Sequence, residues 1–224
     1  MRFDVITIFP AMFAPVFQQG VIGRAVERGI IELRAHDLRE HTHDRHRQVD
    51  DMPFGGGPGM VLKPEPVIEA VEAVRAANGG PVVLMEPWGD TLDQRLAETL
   101  AAEPGLIIVC GRYEGIDDRV RSLLGAREIS IGDYVLSGGE IPAMVLIDAV
   151  ARLLPGVVGD PESITADSFS SEPAGWPQFT RPAEYRGITV PDVLLSGDHA
   201  RIRQWRRQQA AARHVSHTKE LKTT

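Results

Sequence analysis

The chain has 224 residues, enough for one large domain or a domain with a small annex, and its 43% hydrophobic and 25% charged content is that of a globular protein. The best apolar run, 143–158, is broken by Asp148, Arg152 and Pro155, which excludes a membrane span of roughly 18 residues, and the single cysteine, Cys110, excludes an internal disulfide. Net charge is −7, but residues 201–224 hold seven cations against one anion and leave −13 on residues 1–200, so a polyanionic partner is expected for the tail and a small ligand for the body. A solvated basic helix is the simpler reading of the tail. The start of the chain, apolar only over 5–9 after Asp4, is too short and acidic for an export signal, so a cytoplasmic protein is expected.

Residues 2–9 alternate and then run apolar before Pro10, the pattern of a strand entering a core. Two short helices are expected near 11–19 and 21–28, closed by Gly29, with a second strand at 30–35. The charged stretch 36–48 leads into a glycine loop at 54–60. Residues 65–77 have helical periodicity, with Ile68, Val71 and Val74 on one face. The apolar runs 81–86 and 106–110 read as buried parallel strands, separated by an amphipathic helix over 92–102. A further strand at 127–131 and a long apolar helix at 141–154 complete an α/β pattern on a mostly parallel sheet. Composition divides the chain into a body at 1–158, a Pro/Ser/Gly/acid-rich linker at 159–177, and a small basic, mainly helical domain at 178–224 whose amphipathic helix spans about 198–213.

Four segments carry chemistry. His41, His43 and His46 lie within six residues, but their spacing is not that of a zinc site and Arg45 and Arg47 would repel a metal. A polar or RNA-facing loop is the better reading. Residues 52–60 hold four glycines in five positions, yet Met60-Val61 follows where a phosphate-binding loop needs Lys-Ser/Thr. Alone, that loop is a linker. At 109–118 an apolar strand ends in Gly111, and a helix opening with Glu114, Asp117 and Asp118 is expected. Ligands of α/β proteins bind beyond the carboxyl ends of strands, and acids there suit a cationic or hydroxyl-rich ligand instead of pyrophosphate. Macrodipole neutralisation is the plainer explanation. Residues 129–143 again form a strand, a glycine-bearing loop and a helix opening with Pro142, a ligand-shaped turn whose ligand physics alone does not name.

The strings Gly111-Arg112-Tyr113-Glu114-Gly115-Ile116-Asp117, 130–140, Thr180-Arg181-Pro182 and Leu194-Leu195-Ser196-Gly197-Asp198-His199 closely resemble the bacterial tRNA (guanine-N1)-methyltransferase family of the SPOUT class. Residues 42–47, Val49-Asp50-Asp51 and 55–60 match it too, and the resemblance runs in order from Met1 to about Arg213. It implies a parallel sheet with a deep trefoil knot towards the end of the main domain, a feature nearly absent from proteins and invisible to periodicity. It also implies methyl transfer from S-adenosyl-L-methionine to N1 of the guanosine just 3′ of the anticodon in tRNA, by a homodimer with shared active sites. Pro87, Gly111, Tyr113, Glu114, Ile131, Gly132, Asp133, Tyr134, Val135, Leu136, Gly138 and Gly139 would form the cofactor pocket. Asp167 matches the family's catalytic aspartate and Arg152 its arginine, while Arg181, Arg203, Arg206 and Arg207 would meet the RNA. Magnesium is implied as well, with no spacing that identifies its ligands. Glu86 and Trp88 flank Pro87 where relatives commonly carry small hydroxylated or amide residues.

The chemistry asks for these side chains. Guanine N1 carries a proton, so a carboxylate must take it, and the charge that moves to O6 needs a guanidinium. Two other readings stand beside this one: a SPOUT enzyme that methylates the ribose 2′-hydroxyl, and a non-catalytic RNA-binding protein.

Overall fold

A computed structural model describes residues 1–159 and 175–220, with side chains as far as 212. Strands β1 (Arg2–Thr7), β2 (Glu32–Asp37), β5 (Val82–Thr91), β6 (Gly105–Cys110) and β7 (Arg127–Ser130) make one sheet in the order β2-β1-β6-β5-β7. Every pairing in it is parallel. Between β1 and β2 lie a 3-10 turn (Pro10–Met12) and helices α1 (Phe13–Phe17) and α2 (Gly20–Glu27). Helix α3 (Pro64–Arg75) precedes β5, α4 (Gln94–Ala101) precedes β6, and α5 (Arg119–Leu124) precedes β7. Helix α6 (Glu140–Ala151) follows it.

The strands alternate their side chains between two apolar layers. Leu106, Ile108 and Cys110 of β6 join Phe3, Val5 and the inner faces of α1, α2, α4 and α6. Ile107 and Val109 join Ile6, Leu84 and the inner faces of α3 and α5. Since both faces are covered, β6 is buried along its whole length, which is why it reads as an unbroken apolar run. In α3 Val71 and Val74 are buried as expected, with Pro66, Val67 and Ala70 beside them, and Ile68 lies at the edge of that face.

Three elements depart from the sequence reading. Strand β5 does not end near Glu86: Met85 and Asp90 both pair with Ile129, so the four residues between them loop out of the ladder before pairing resumes. An Arg127–Asp90 ion pair of 2.9 Å closes the base of that loop. Helix α5 begins at Arg119 and not at the acids. Asp117 instead accepts from the Arg119 amide and guanidinium, which holds its carboxyl below the usual range. The glycine loop is flanked by a two-residue antiparallel ladder, β3 (Asp50–Asp51) with β4 (Val61–Leu62), too short to be visible in periodicity.

The chain divides into two compact units, Met1–Gly159 and Asp160–Thr224. In the second, β8 (Glu184–Tyr185) and β9 (Ile188–Thr189) form a hairpin, followed by α7 (Asp192–Leu195) and α8 (His199–Glu220). Among the described residues no helix is long and apolar enough to cross a membrane.

At the amino ends of the strands, Asp4 is fully buried and accepts from Arg2 (2.7 Å), His36 (2.7 Å) and Asn78 (2.8 Å). Asn78 also donates to the Leu106 carbonyl and accepts from the Gly80 amide, tying β1, β6 and the approach to β5 together. Burial pushes the Asp4 carboxyl up, but the hydrogen bonds from His36, Arg2 and Asn78 outweigh it and hold it well below the usual range. A depressed carboxyl stabilises the fold above its unfolded pKa, and that contribution is lost as pH falls through the folded value. Urea titrations should therefore show a steep loss of stability as pH drops below roughly 4. Asn78→Ala should cost about 2 kcal/mol at pH 7, because it leaves a buried carbonyl and a buried amide without partners.

Candidate active site

The segments that leave the carboxyl ends of β6 and β7 meet the looped-out residues of β5 around one pocket of about 250 Å³. From β5 come Glu86, Pro87 and Trp88, the looped-out residues. The segment after β6 brings Gly111, Tyr113 and Glu114, and the segment after β7 brings Ile131, Gly132, Tyr134, Val135, Leu136, Gly138 and Gly139. All the residues expected at the cofactor pocket line this one cleft except Asp133, which is exposed on the same loop and is not part of the wall.

The packing that brings the segments together has no room for a side chain at Gly139. A Cβ there would stand 2.8 Å from Cys110 Cα and from the Gly111 nitrogen, both backbone, and its own amide donates to the Gly111 carbonyl at 2.8 Å. The glycine loop 55–59 is drawn to the same place. Gly59, at φ +82, packs against the Glu114 side chain, and the Glu114 amide donates to the Met60 carbonyl at 2.9 Å. A loop that is a bare linker in sequence thus buttresses the pocket wall. Tyr113, a non-glycine residue at φ +60, and Tyr134 stand half-exposed on the rim.

Glu140 at the start of α6 is fully buried, and it is the centre of the site's charge network. Thr7 Oγ1 donates to it at 2.8 Å, and Arg112 Nε does so at 2.8 Å. Arg112 also donates to the Ser137 carbonyl at 3.0 Å and covers the Phe9 ring at 4.6 Å. The cation in the pocket wall is therefore committed. Glu86 is a buried carboxyl on the same wall, and burial, followed by the charge of Glu128, pushes it up to about 7. Burial and the nearby Glu140 push the Cys110 thiol well up, so it serves as packing and not as a nucleophile. No group of three or more His, Cys, Asp or Glu able to hold a metal is found among the described residues; His43 pairs with Glu69 at 2.8 Å.

Arg152 is not beside this pocket in its own chain. Gly138 and Gly139 sit at the amino end of α6 and Arg152 caps the carboxyl end, a separation of about 18 Å along twelve residues. Asp167 lies outside the described residues. In the second unit Arg181, Arg203 and Arg207 are exposed. Arg206 is not: its guanidinium covers the Trp176 ring at 4.9 Å and its Nε is buried. Sequence reasoning missed Glu140 and Thr7, 133 positions apart in the chain, because neither sits in a pattern that announces a partner. It noted Glu86 and Trp88 only as unusual neighbours of Pro87, although their position straight after an apolar strand was the available signal.

Fold and site define an α/β ligand-binding protein whose pocket is built from strand-end loops and walled by acids, with no phosphate-gripping cation free. The sequence model described as tRNA (Guanine-1)-methyltransferase TrmD matches residues 1–224, and the chain belongs to that family of methyltransferases. It is 54% identical over 216 residues to a tRNA (guanine-N(1)-)-methyltransferase of Moorella thermoacetica, covering 95% of this chain and 86% of that one. Proteins of the same name from Rhodopirellula baltica and Thermomicrobium roseum are 52% and 51% identical, each over 99% of this chain and over 93% and 83% of their own lengths.

The Glu140 network yields a stability test. Arg112→Ala leaves the Glu140 carboxylate buried without its charge partner and should cost about 3 kcal/mol. Adding Glu140→Gln should recover part of that loss, so denaturant titrations of the two single variants and the double variant should be clearly non-additive.

Proposed function

We propose that the chain transfers the methyl group of S-adenosyl-L-methionine to N1 of the guanosine immediately 3′ of the anticodon in tRNA, in the cytoplasm. The observation that carries this reading is the acid-walled pocket formed where these three segments meet, in a chain of this methyltransferase family. The donor is a cationic sulfonium with ribose hydroxyls and no phosphate. Glu86 and Glu114 on the wall suit that charge, and Arg112, turned to Glu140, does not oppose it. Pro87, Gly111, Tyr113, Ile131, Tyr134, Leu136, Gly138 and Gly139 would hold the donor with Glu114. When bound, it supplies an electrophilic methyl group.

In the reaction the Asp167 carboxylate takes the N1 proton, the N1–CH₃ bond forms as the S–CH₃ bond breaks, and Arg152 stabilises the charge displaced to O6. No step is routed through magnesium, for which the described residues offer no ligand cluster. The knotted path expected of the family is part of this proposal. The close seat of Gly139 against Cys110 and Gly111, where the segments after β6 and β7 touch, supports it.

Two observations favour a homodimer with shared sites. Arg152 stands at the opposite end of α6 from its own pocket, so a second copy is needed to complete the constellation. Helix α6 turns Ala143, Leu146, Ile147 and Val150 to the core, while Ile141 and Val145 remain about half exposed on the outer side together with Asp148. An apolar face of that kind calls for a covering surface. The partner proposed is a second copy.

The test is methyl transfer to unmodified tRNA transcripts, read by digestion to nucleosides, on mixed dimers isolated with two tags. One chain carries Leu136→Lys, which places a cation in the pocket; the other carries Asp167→Ala. Each parent homodimer should be inactive. The mixed dimer should regain one of its two sites, about half the wild-type rate per dimer. Methylation found on ribose would favour the 2′-hydroxyl reading, and failure of the wild type to bind the donor would favour the non-catalytic one. No recovery in verified mixed dimers would rule out shared sites.

The basic helix is proposed to grip the RNA backbone, with unequal roles among its arginines. Neutralising exposed Arg203 and Arg207 should weaken tRNA binding and lower the log–log salt slope by up to about two. Arg206→Ala should instead lower the thermal midpoint of the second unit, since it uncovers Trp176, with little change in slope.

A further inference from the structure

We infer that Glu86 is the acceptor with which the pocket prefers the cationic sulfonium donor over its neutral thioether product, giving up its proton to solvent as the cation enters. This rests on the assignment of the pocket to S-adenosylmethionine. Glu86 is only 6% exposed, yet it forms part of the pocket wall. Its Oε1 stands 3.3 Å from where a Cβ on Gly111 would be, and both carboxyl oxygens are 3.9 Å from the matching point on Gly115. The carboxyl therefore lies close against Gly111 and within ordinary contact of Gly115, inside the pocket wall that all three residues line.

Among the described residues no cation pairs with it. From its own loop comes the Trp88 ring, whose Nε1 donates to Glu128 at 3.3 Å. Strand β7 presents Glu128, a like charge whose nearest cation, Arg121 of α5, is 3.7 Å away. The segment after β6 offers the Ile116 backbone amide, which favours the ionised form, and lines the same pocket with Tyr113 and Glu114, while Arg112 is bound to Glu140 of α6. Burial and then Glu128 push the Glu86 carboxyl up to about 7, which favours its protonated form below neutrality. A positive charge brought into the pocket opposes both effects and favours the ionised form. A neutral ligand of the same outline does not. Discrimination is thus greatest above neutrality, where product would otherwise compete with donor for the same adenosine and amino-acid contacts.

The experiment is calorimetric titration of the full chain with S-adenosylmethionine and, separately, S-adenosylhomocysteine between pH 5.5 and 8. Groups that both ligands touch cancel in the ratio of the two affinities. In the wild type that ratio should rise with pH in favour of the sulfonium, about tenfold for each pKa unit by which the cation lowers Glu86. Repeating the titrations near pH 7 in two buffers of different ionisation enthalpy should show fractional proton release with the sulfonium and little with the thioether. Glu86→Gln should flatten the ratio and abolish the release. Glu128→Gln, which leaves the pocket wall intact, should move the wild-type transition to lower pH. A wild-type ratio that stays constant while both ligands bind overturns the inference and leaves the cofactor assignment standing. An unmoved transition in Glu128→Gln also overturns it. Failure of both ligands to bind the folded chain overturns the cofactor assignment and the inference with it.

Discussion

The buried carboxylate of Glu140 fixes the geometry of everything around it. A charge with no exposure must be paired and hydrogen-bonded, and here the partners come from three places: Thr7 at the end of β1, Arg112 after β6, and the amino end of α6 itself, whose dipole favours an acid. Arg112 extends the tie to the Ser137 carbonyl, in the segment that leads from β7 into α6. A pocket assembled from separate loops has no ladder of its own to hold it. In this protein one ion pair does so, and the absence of a Cβ at Gly139 lets the backbones close to contact distance. Position and charge are settled together, since pinning Arg112 also removes it as a counter-charge to whatever the pocket binds.

Helix α6 then acts as a ruler. Its amino end is anchored at the pocket and its length carries Arg152 about 18 Å away. Its outer side leaves Ile141 and Val145 about half exposed beside Asp148. The proposed second copy would answer both features, covering that face and supplying the remote arginine. By symmetry such a pair would hold two equivalent sites, and neither chain alone would have a complete one.

What the sequence made legible was whatever repeats or whatever is punctuated by glycine. The apolar runs of β1, β5, β6 and β7, the amphipathic α4 and the glycine-bearing turns were all readable because burial on two faces, or a tight turn, constrains residue type at every position. The resumption of β5 beyond Glu86 was not, because a Pro-Trp-Gly insertion erases alternation while the ladder around Ile129 persists. The acids before α5 misplaced its start, since Asp117 closes a local turn with Arg119 instead of opening a helix. Glu140 to Thr7 and Glu86 to Glu128 depend on topology, and no local period encodes a contact across so many residues. The contact of Arg206 with Trp176 was not legible for a related reason: a basic helix shows which positions are charged but not which one has found an aromatic ring.

Charge is segregated along the chain with a purpose that the geometry makes specific. Residues 1–200 carry −13 and would repel a polyanion, so RNA bound by such a chain would be held by the net +6 of residues 201–224. The same negative body raises the local concentration of a cation and favours its entry into an acid-walled cleft. Inside the cleft, however, fixed negative charge would be expensive to maintain without a ligand, because no cation is free to pair with it. Protonation of Glu86, as inferred above, would lower that cost before a ligand enters, and the charge would be restored when a cation arrives to meet it. Discrimination between donor and product would then follow from electrostatics that the fold has already set, through the burial of one carboxyl and the proximity of Glu128.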